Sequence, residues 1–247
     1  MIGQELVNNL RADILDDVQI PYLWPSEQLL RYLNYAEVQA CRRSHLLIDS
    51  TTTNDSGTAA TAGTMGQKPL CQLTLVAGQS VYNLSPKIIQ VKRCQLSGMS
   101  YPLVGPLTYQ EVDEQISGWV GTCGTIGTSG TGGFPSSFLN EPGNTITFIL
   151  APSASGTAYL TISRLPLLPF TLQTSPEIAE KYHEGLMNWA AHLAYLKNDT
   201  EAFNPAKSKF YEDKFITEFG SLYDAKTERL IKTMQQQGRM RPRQFGS

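Results

Sequence analysis

Charge of one sign is what this sequence has least of. Its 247 residues carry a formal net charge of −2, and charged side chains make up 17% of the chain, against roughly a quarter in ordinary soluble proteins. No global field therefore draws in nucleic acid or an anionic membrane. Apolar runs are short as well, and none approaches the roughly 18 residues a membrane span requires, so no membrane partner is expected. Glu5, Arg11 and Asp13 interrupt the opening stretch where a secretory leader would be apolar, which predicts a protein made and used in solution. The four cysteines, Cys41, Cys71, Cys94 and Cys123, are scattered, with no close pair and no histidine at ligand spacing. That pattern argues against a zinc site and for reduced, buried thiols.

Catalytic groupings are equally scarce. Of the three histidines, His45, His183 and His192, the last two fall roughly 180 degrees apart on one helix and cannot share a metal or a proton. Capping or surface hydrogen bonding is the expected role. Glycines recur at every third position from Gly118 to Gly133. The stretch lacks the Gly-Lys-Ser/Thr ending of a phosphate-binding loop and leads into Phe134-Pro135 rather than a helix, so a flexible loop is expected. Collagen-like winding would need proline-rich triplets over a far longer stretch. Glu111, Asp113 and Glu114 could be imagined as an acid/base pair for glycoside hydrolysis, but near-adjacent helix positions diverge and no apolar pocket is marked to raise one pKa. The sequence thus predicts no enzyme, no catalytic residue, no metal and no cofactor.

What the chain does have is periodicity. Leu6, Leu10, Ile14 and Leu15 fall at helical spacing between about Gly3 and Asp17, ending near the Ile20-Pro21-Tyr22 turn. A second helix is expected from Pro25, suited to a first-turn position, through Leu29, Leu33, Ala36 and Ala40 to about Leu47. Composition then shifts to Thr, Ala, Gly, Ser and Asn over residues 50–66, an exposed flexible loop. From Leu70 the period becomes two, and short strands are expected around Leu73, Leu75, Val81 to Leu84 and Ile89 to Arg93. Asn144 to Leu150 and Ala158 to Arg164 read as a hairpin, with a short helix from Thr108 to Ile116 lying between the two groups. Together these predict a small antiparallel sheet or barrel of about five or six strands.

Helical period returns after Pro169. Ser175 as N-cap with Pro176 opens a helix through Ile178, Tyr182, Leu186, Trp189, Leu193 and Leu196, and Asn204-Pro205 opens another through Tyr211, Phe215, Phe219 and Leu222. Helicity is expected to about Gln237, before Gly238 and Pro242. Leu29, Leu33, Ile178, Tyr182, Leu186, Trp189, Leu193, Phe215 and Phe219 form the expected bundle core, with Trp189 buried against the first two helices. The fold class is thus α+β: a mainly α-helical bundle from residues 1–49 and 170–237, an inserted small antiparallel β-domain over 67–169 with flexible loops 50–66 and 118–133, and an extended C-terminal arm, 238–247. The final 22 residues hold Lys226, Arg229, Lys232, Arg239, Arg241 and Arg243 against Glu228 alone. With only Phe245 available for stacking, a protein-docking or phosphate-contacting arm is favoured over base recognition.

A family likeness runs through these features. Leu10 to Asp49 resembles the opening of head-to-tail adaptor proteins of tailed bacteriophages. The matching residues are Pro21-Tyr22-Leu23-Trp24, Glu27, Leu29-Leu30-Arg31-Tyr32-Leu33-Asn34-Tyr35-Ala36 and Cys41-Arg42-Arg43-Ser44. Further matches follow in order: Ala77-Gly78-Gln79 with Tyr82 and Leu84, Ile88 to Arg93, Gly118-Trp119, Gly133 with Pro135, Leu150 with Pro152, Arg164 with Pro166, Pro176 to Leu186, and Asp199 with Asn204. Two departures are Pro25 in place of a Ser cap and a longer Gly/Thr loop at 118–133. The resemblance implies a structural protein of the virion neck, assembled in the host cytoplasm as a homo-oligomeric ring of about twelve copies. It also implies partners in the portal protein and a tail or nozzle protein, with DNA passing the channel without sequence specificity. The arm, with Arg239, Arg241, Arg243 and Phe245, would reach onto the portal. Alternative readings are another neck or tail-completion protein, a virion-associated peptidoglycan hydrolase, and a DNA-packaging accessory protein.

Overall fold

A computed structural model describes residues 1–56, 68–107, 109–115, 135–141, 144–197 and 202–222. It divides into two compact units, Met1–Ile48 with Ser163–Leu222, and Asp49–Ile162. The class is α+β, but helices do not dominate: among the described residues five α-helices stand beside eight strands in two four-stranded sheets. The expectation of a mainly helical chain is corrected by this strand content.

In the first unit, α1 (Gly3–Asn9) runs into a wider π-helical turn, Leu10–Leu15, which ends where Asp16 turns left-handed at φ 52°. Glu5 caps the start by accepting the backbone N–H of Ile2 at 2.9 Å. The N–H groups of Gly3 and Gln4, left over by the helix, donate to the carbonyls of Thr174 and Leu172. That approach is so close that a Cβ on Gly3 would collide with the Thr171 carbonyl. The second helix, α2 (Ser26–Ser44), begins one residue after Pro25. Pro25 is the cap rather than the first helical residue, and its carbonyl accepts from Gln28 and Leu29. The helix stops earlier than the apolar pattern predicts because His45 turns left-handed, φ 51°, and Leu47–Asp49 continues as strand β1.

The largest departure concerns Ser175-Pro176. Residues 175–179 are not helical; a single 3-10 turn covers Glu180–Tyr182, and the α-helix, α4 in chain order, spans His183–Tyr195. The reason is a carboxylate on α2. Glu37, 1% exposed, accepts the backbone N–H groups of Glu177 at 2.6 Å and Ile178 at 3.2 Å through the same oxygen, Oε1. One turn earlier, Asn34 accepts from Phe170 N–H and donates to Phe170 C=O. Glu177 in turn accepts from Leu167 N–H and pairs with Arg164 at 2.6 Å. The N–H groups that a helix start would leave to its own cap are already taken, so the helix begins later.

By contrast, Asn204 caps as expected, accepting the N–H of Lys207, with Pro205 opening α5 (Pro205–Phe219). This helix ends at Gly220, φ 85°. Its last carbonyls are met by α2: Ser44 donates to Phe219 C=O and Arg43 to Gly220 C=O. Helicity expected over 223–237 lies outside the described residues. Leu6, Leu10, Leu29, Leu33, Ile178, Leu186, Trp189, Phe215 and Phe219 share one buried cluster, with Tyr182 and Leu193 packed against it while partly exposed. The neighbours of Trp189 are Arg43 of α2 and Phe215 of α5, at 4.7 and 5.0 Å, together with His192 of its own helix at 4.8 Å.

The second unit does not contain the predicted hairpin. Strand β7 (Thr145–Ile149) lies in a sheet of order β3-β7-β6-β5, whereas β8 (Gly156–Arg164) pairs with β2 (Gln72–Leu75), β4 (Ile88–Leu96) and β1. The chain changes sheets between them, with Leu150 left-handed at φ 67°. Nor is the unit purely antiparallel. β5 (Val104–Leu107) and β6 (Ser137–Glu141) are parallel, which demands a long crossover. Helix α3 (Tyr109–Gln115) opens that crossover, its Val112 buried in a cluster with Leu107, Leu139 and Ile149. Beside β7, β3 (Val81–Asn83) forms the sheet's other edge, and Tyr82 packs edge-on against Phe148. Four successive residues of β7 are buried, so both faces of this central strand are covered and polar alternation is lost there.

Replacing Trp189 with Ala should cost about 3 to 5 kcal/mol, read as a lowered midpoint in chemical denaturation with an unchanged slope. Burial, opposed by the two backbone N–H groups, pushes the Glu37 carboxyl up from 4.5 to about 7. The folded state therefore holds this proton more tightly than the unfolded one. Its contribution is most favourable below pH 4.5 and is lost as pH rises to about 7. Glu37→Gln keeps an acceptor without the charge, so the variant should gain on wild type by on the order of 2 to 3 kcal/mol between pH 4.5 and 7.5, measured by denaturation at both pH values.

Candidate functional site

Among the described residues, the histidines and cysteines that composition offered for chemistry are held in structural roles. His183, far from lying on the surface, is 2% exposed and bonds through Nε2 to Ile178 C=O at 3.0 Å. His192 Nδ1 lies 3.0 Å from Ser208 Oγ on α5, and His45 Nδ1 lies 2.9 Å from Ser163 Oγ. Cys41, Cys71 and Cys94 are buried free thiols. Burial pushes both Cys41 and Cys94 up to about 12, with the Glu37 carboxylate adding to the rise at Cys41, so both stay protonated and unreactive at neutral pH. Glu111 is half-buried, and Asp113 and Glu114 are exposed on α3. No group of three or more metal-ligating side chains occurs among the described residues, and no helix among them is long and apolar enough to cross a membrane. Arg239, Arg241, Arg243 and Phe245, with Cys123 and the 118–133 loop, lie outside the described residues.

A different feature stands out between the π-helical turn and α2. Arg11 and Asp17 are both buried, 6% and 8% exposed, with Nε 3.6 Å from Oδ2. The Asp17 carboxylate accepts the N–H groups of Leu23 and Trp24, at 2.9 and 3.1 Å. Arg11 donates to Trp24 C=O and to Ser26 Oγ, and its guanidinium lies 3.9 Å from the centre of the Tyr22 ring. Trp24 packs edge-on against Tyr195, whose hydroxyl donates to Ile14 C=O at 2.9 Å. These contacts clamp both ends of the five-residue turn 18–22 and leave its tip in solvent. Beside it an open cleft of roughly 500 Å3 is lined by Asp16, Gln19, Pro21, Tyr22, Leu23 and Lys197, with Lys197 Nζ 3.5 Å from Leu23 C=O. The Asp17 carboxylate is already committed to backbone donors, which leaves Asp16 and Lys197 as the other charged groups of the rim.

Sequence reasoning passed over these residues. Arg11 and Asp17 resemble the solvated face of an amphipathic helix, and Glu37 resembles a surface acid. One signal was available for Glu37: it lies four residues from Leu33 and from Cys41, inside the apolar row of α2. Arg43 gives no comparable warning. It lies over Trp189 and Phe215, and burial lowers its pKa from the usual guanidinium value.

No curated protein matches the chain. The family model described as SU10 adaptor protein matches residues 1–243. That span takes in both compact units and leaves four residues over, and the chain belongs to the SU10 adaptor protein family, a family of head-to-tail adaptors that are structural proteins of bacteriophages.

Proposed function

We propose that this protein is the ring-forming adaptor of a phage neck, joining the capsid portal to a tail or nozzle protein and helping to retain and channel DNA. The family match over residues 1–243 carries the reading. A ring of about twelve copies, closed by rotational symmetry, suits a component placed on the axis of a portal. Residues 1–49 and 170–237 serve as a helical bundle domain, 67–169 as an inserted β-domain, and 238–247 as the arm. Assembly takes place in the host cytoplasm.

In the arm, Gly238 and Pro242 oppose helix, and Arg239, Arg241, Arg243 and Phe245 fall at every second position. On an extended strand these side chains share one face. Three guanidiniums suit bidentate pairing with carboxylates in a portal groove, and the aromatic supplies an anchor.

Deleting residues 238–247 should leave the melting temperature nearly unchanged while abolishing association with purified portal and yielding heads that leak DNA. Unchanged affinity for portals at moderate salt would move the docking surface elsewhere. The isolated protein is expected to sediment as a monomer or small oligomer and to form rings only with portal present, as seen by electron microscopy. A stable ring in the absence of portal would overturn that order of assembly.

A further inference from the structure

The clamped turn between Leu15 and Trp24 is built to present apolar surface. Val18, Ile20 and Tyr22 are 58%, 81% and 43% exposed, and residues 18–22 include no charged side chain. Beneath them lies a buried ion pair, Arg11 with Asp17. Burying two charges is expensive and adds little net stability. What this pair accomplishes is geometric: Asp17 fixes the N–H groups of Leu23 and Trp24, and Arg11 fixes Trp24 C=O and the Tyr22 ring. A tip held in one shape before contact loses little conformational entropy on binding, the condition for a strong anchor. Exposed Asp13 and Asp16 flank it, with the half-buried Lys197 on the cleft side, so the surface is apolar at the centre with two carboxylates at its exposed edge.

A surface of opposite character lies on the same unit. Lys207, Phe210 and Lys214 follow on α5 at steps of three and four, which puts them along one face, and Phe203 lies just before the helix. The two aromatics are 53% and 54% exposed. Lys214 Nζ lies 4.6 Å from the Phe210 ring centre, and Lys207 Nζ lies 5.1 Å from that of Tyr195, so both cations stay close to aromatic surface. The acids of this helix segment are answered locally, since Lys209 pairs with Glu212 at 2.9 Å and with Asp213 at 3.0 Å. The row is therefore aromatic and basic.

We infer that the 18–22 tip, with Asp13 and Asp16, docks onto the Phe203–Lys207–Phe210–Lys214 row of a second copy of this chain. The inference rests on the ring-forming reading above and names the contact between its copies. Charge decides the occupant: an apolar tip edged by carboxylates repels nucleic acid and anionic lipid, and it matches a row of aromatics and ammonium groups. Two different, complementary surfaces on one chain are what a head-to-tail contact between identical subunits requires, because each copy then uses one surface on each neighbour.

The test pairs substitutions across copies on purified portals. Ile20→Asp, at an exposed position, should leave the melting temperature unchanged and lower the fraction of portals bearing rings by about tenfold. Asp16→Lys, and separately Lys207→Glu with Lys214→Glu, should each weaken ring formation, and the combined reversal should restore it to within about threefold of wild type. Mixing chains that each carry one introduced cysteine in addition to the native four, Ile20→Cys with Phe210→Cys, on portals under mild oxidation should give a disulfide between copies that joins positions 20 and 210. If Ile20→Asp forms rings as wild type does, or the combined reversal restores nothing, the inference is wrong while the adaptor reading stands. If Ile20→Asp abolishes portal binding but the cysteine pair does not cross-link, the tip faces the portal and the inference again fails. Wild-type protein that never forms rings on portals would instead remove the adaptor reading itself.

Discussion

The helical unit depends on one buried carboxylate. Its two halves are separated by more than a hundred residues, and the segment that returns the chain to it, residues 165–179, is rich in proline and forms no helix of its own. Apolar packing could hold that segment in several registers, because hydrophobic contact is not directional. Glu37 removes the freedom by accepting two successive backbone N–H groups, and Asn34, one turn earlier on α2, takes both polar groups of Phe170. From there Glu177 orders Arg164 and Leu167, while the carbonyls of Leu172 and Thr174 receive the free N–H groups at the start of α1. A single helix face thus fixes where the returning chain lies, where α4 begins and where α1 is capped. Glu37 is buried at a cost that lifts its pKa to about 7, which is reasonable for a group that specifies one arrangement rather than adding stability.

The same trade recurs at the 18–22 turn, where Arg11 and Asp17 are withdrawn from water to shape a loop. In both places a charged side chain near the N-terminal end of the sequence organises backbone. The histidines and cysteines follow the same logic. His183 bonds a backbone carbonyl, His192 and His45 lie within hydrogen-bond distance of serines, the described thiols are buried, and burial keeps Cys41 and Cys94 protonated. A structural adaptor works through surfaces and registration, and the chemistry of its polar residues is spent accordingly.

Much of the helical part was legible in the chain. Leu29, Leu33, Ala36 and Ala40 mark α2, and Asn204-Pro205 marks the start of α5 by supplying an acceptor and a proline at the positions a helix start prefers. Both are local effects, satisfied within one or two turns. Ser175-Pro176 carries the same local signature and opens no helix, because a group on α2 competes for the same N–H groups. The β unit shows a different limit. Thr145–Ile149 and Gly156–Arg164 are strands as their composition suggests, yet they join different sheets. Pairing partners are a property of the whole sheet, and a short connector does not say whether the next strand folds back or crosses over.

The sequence by itself determined the α+β class, the cluster joining its first and last thirds, the scarcity of catalytic groupings and the likeness to phage adaptors. These rest on composition, on periods of 3.6 and 2 and on ordered local matches, each readable from neighbours in the chain. Only the tertiary structure decided that β5 and β6 run parallel, that α4 begins at His183, that Glu37 is buried and that Ile20 stands in solvent on a clamped tip. Those outcomes depend on which distant backbone groups compete for a side chain and on which surfaces are left uncovered once the core has closed, and neither quantity exists until the chain has folded.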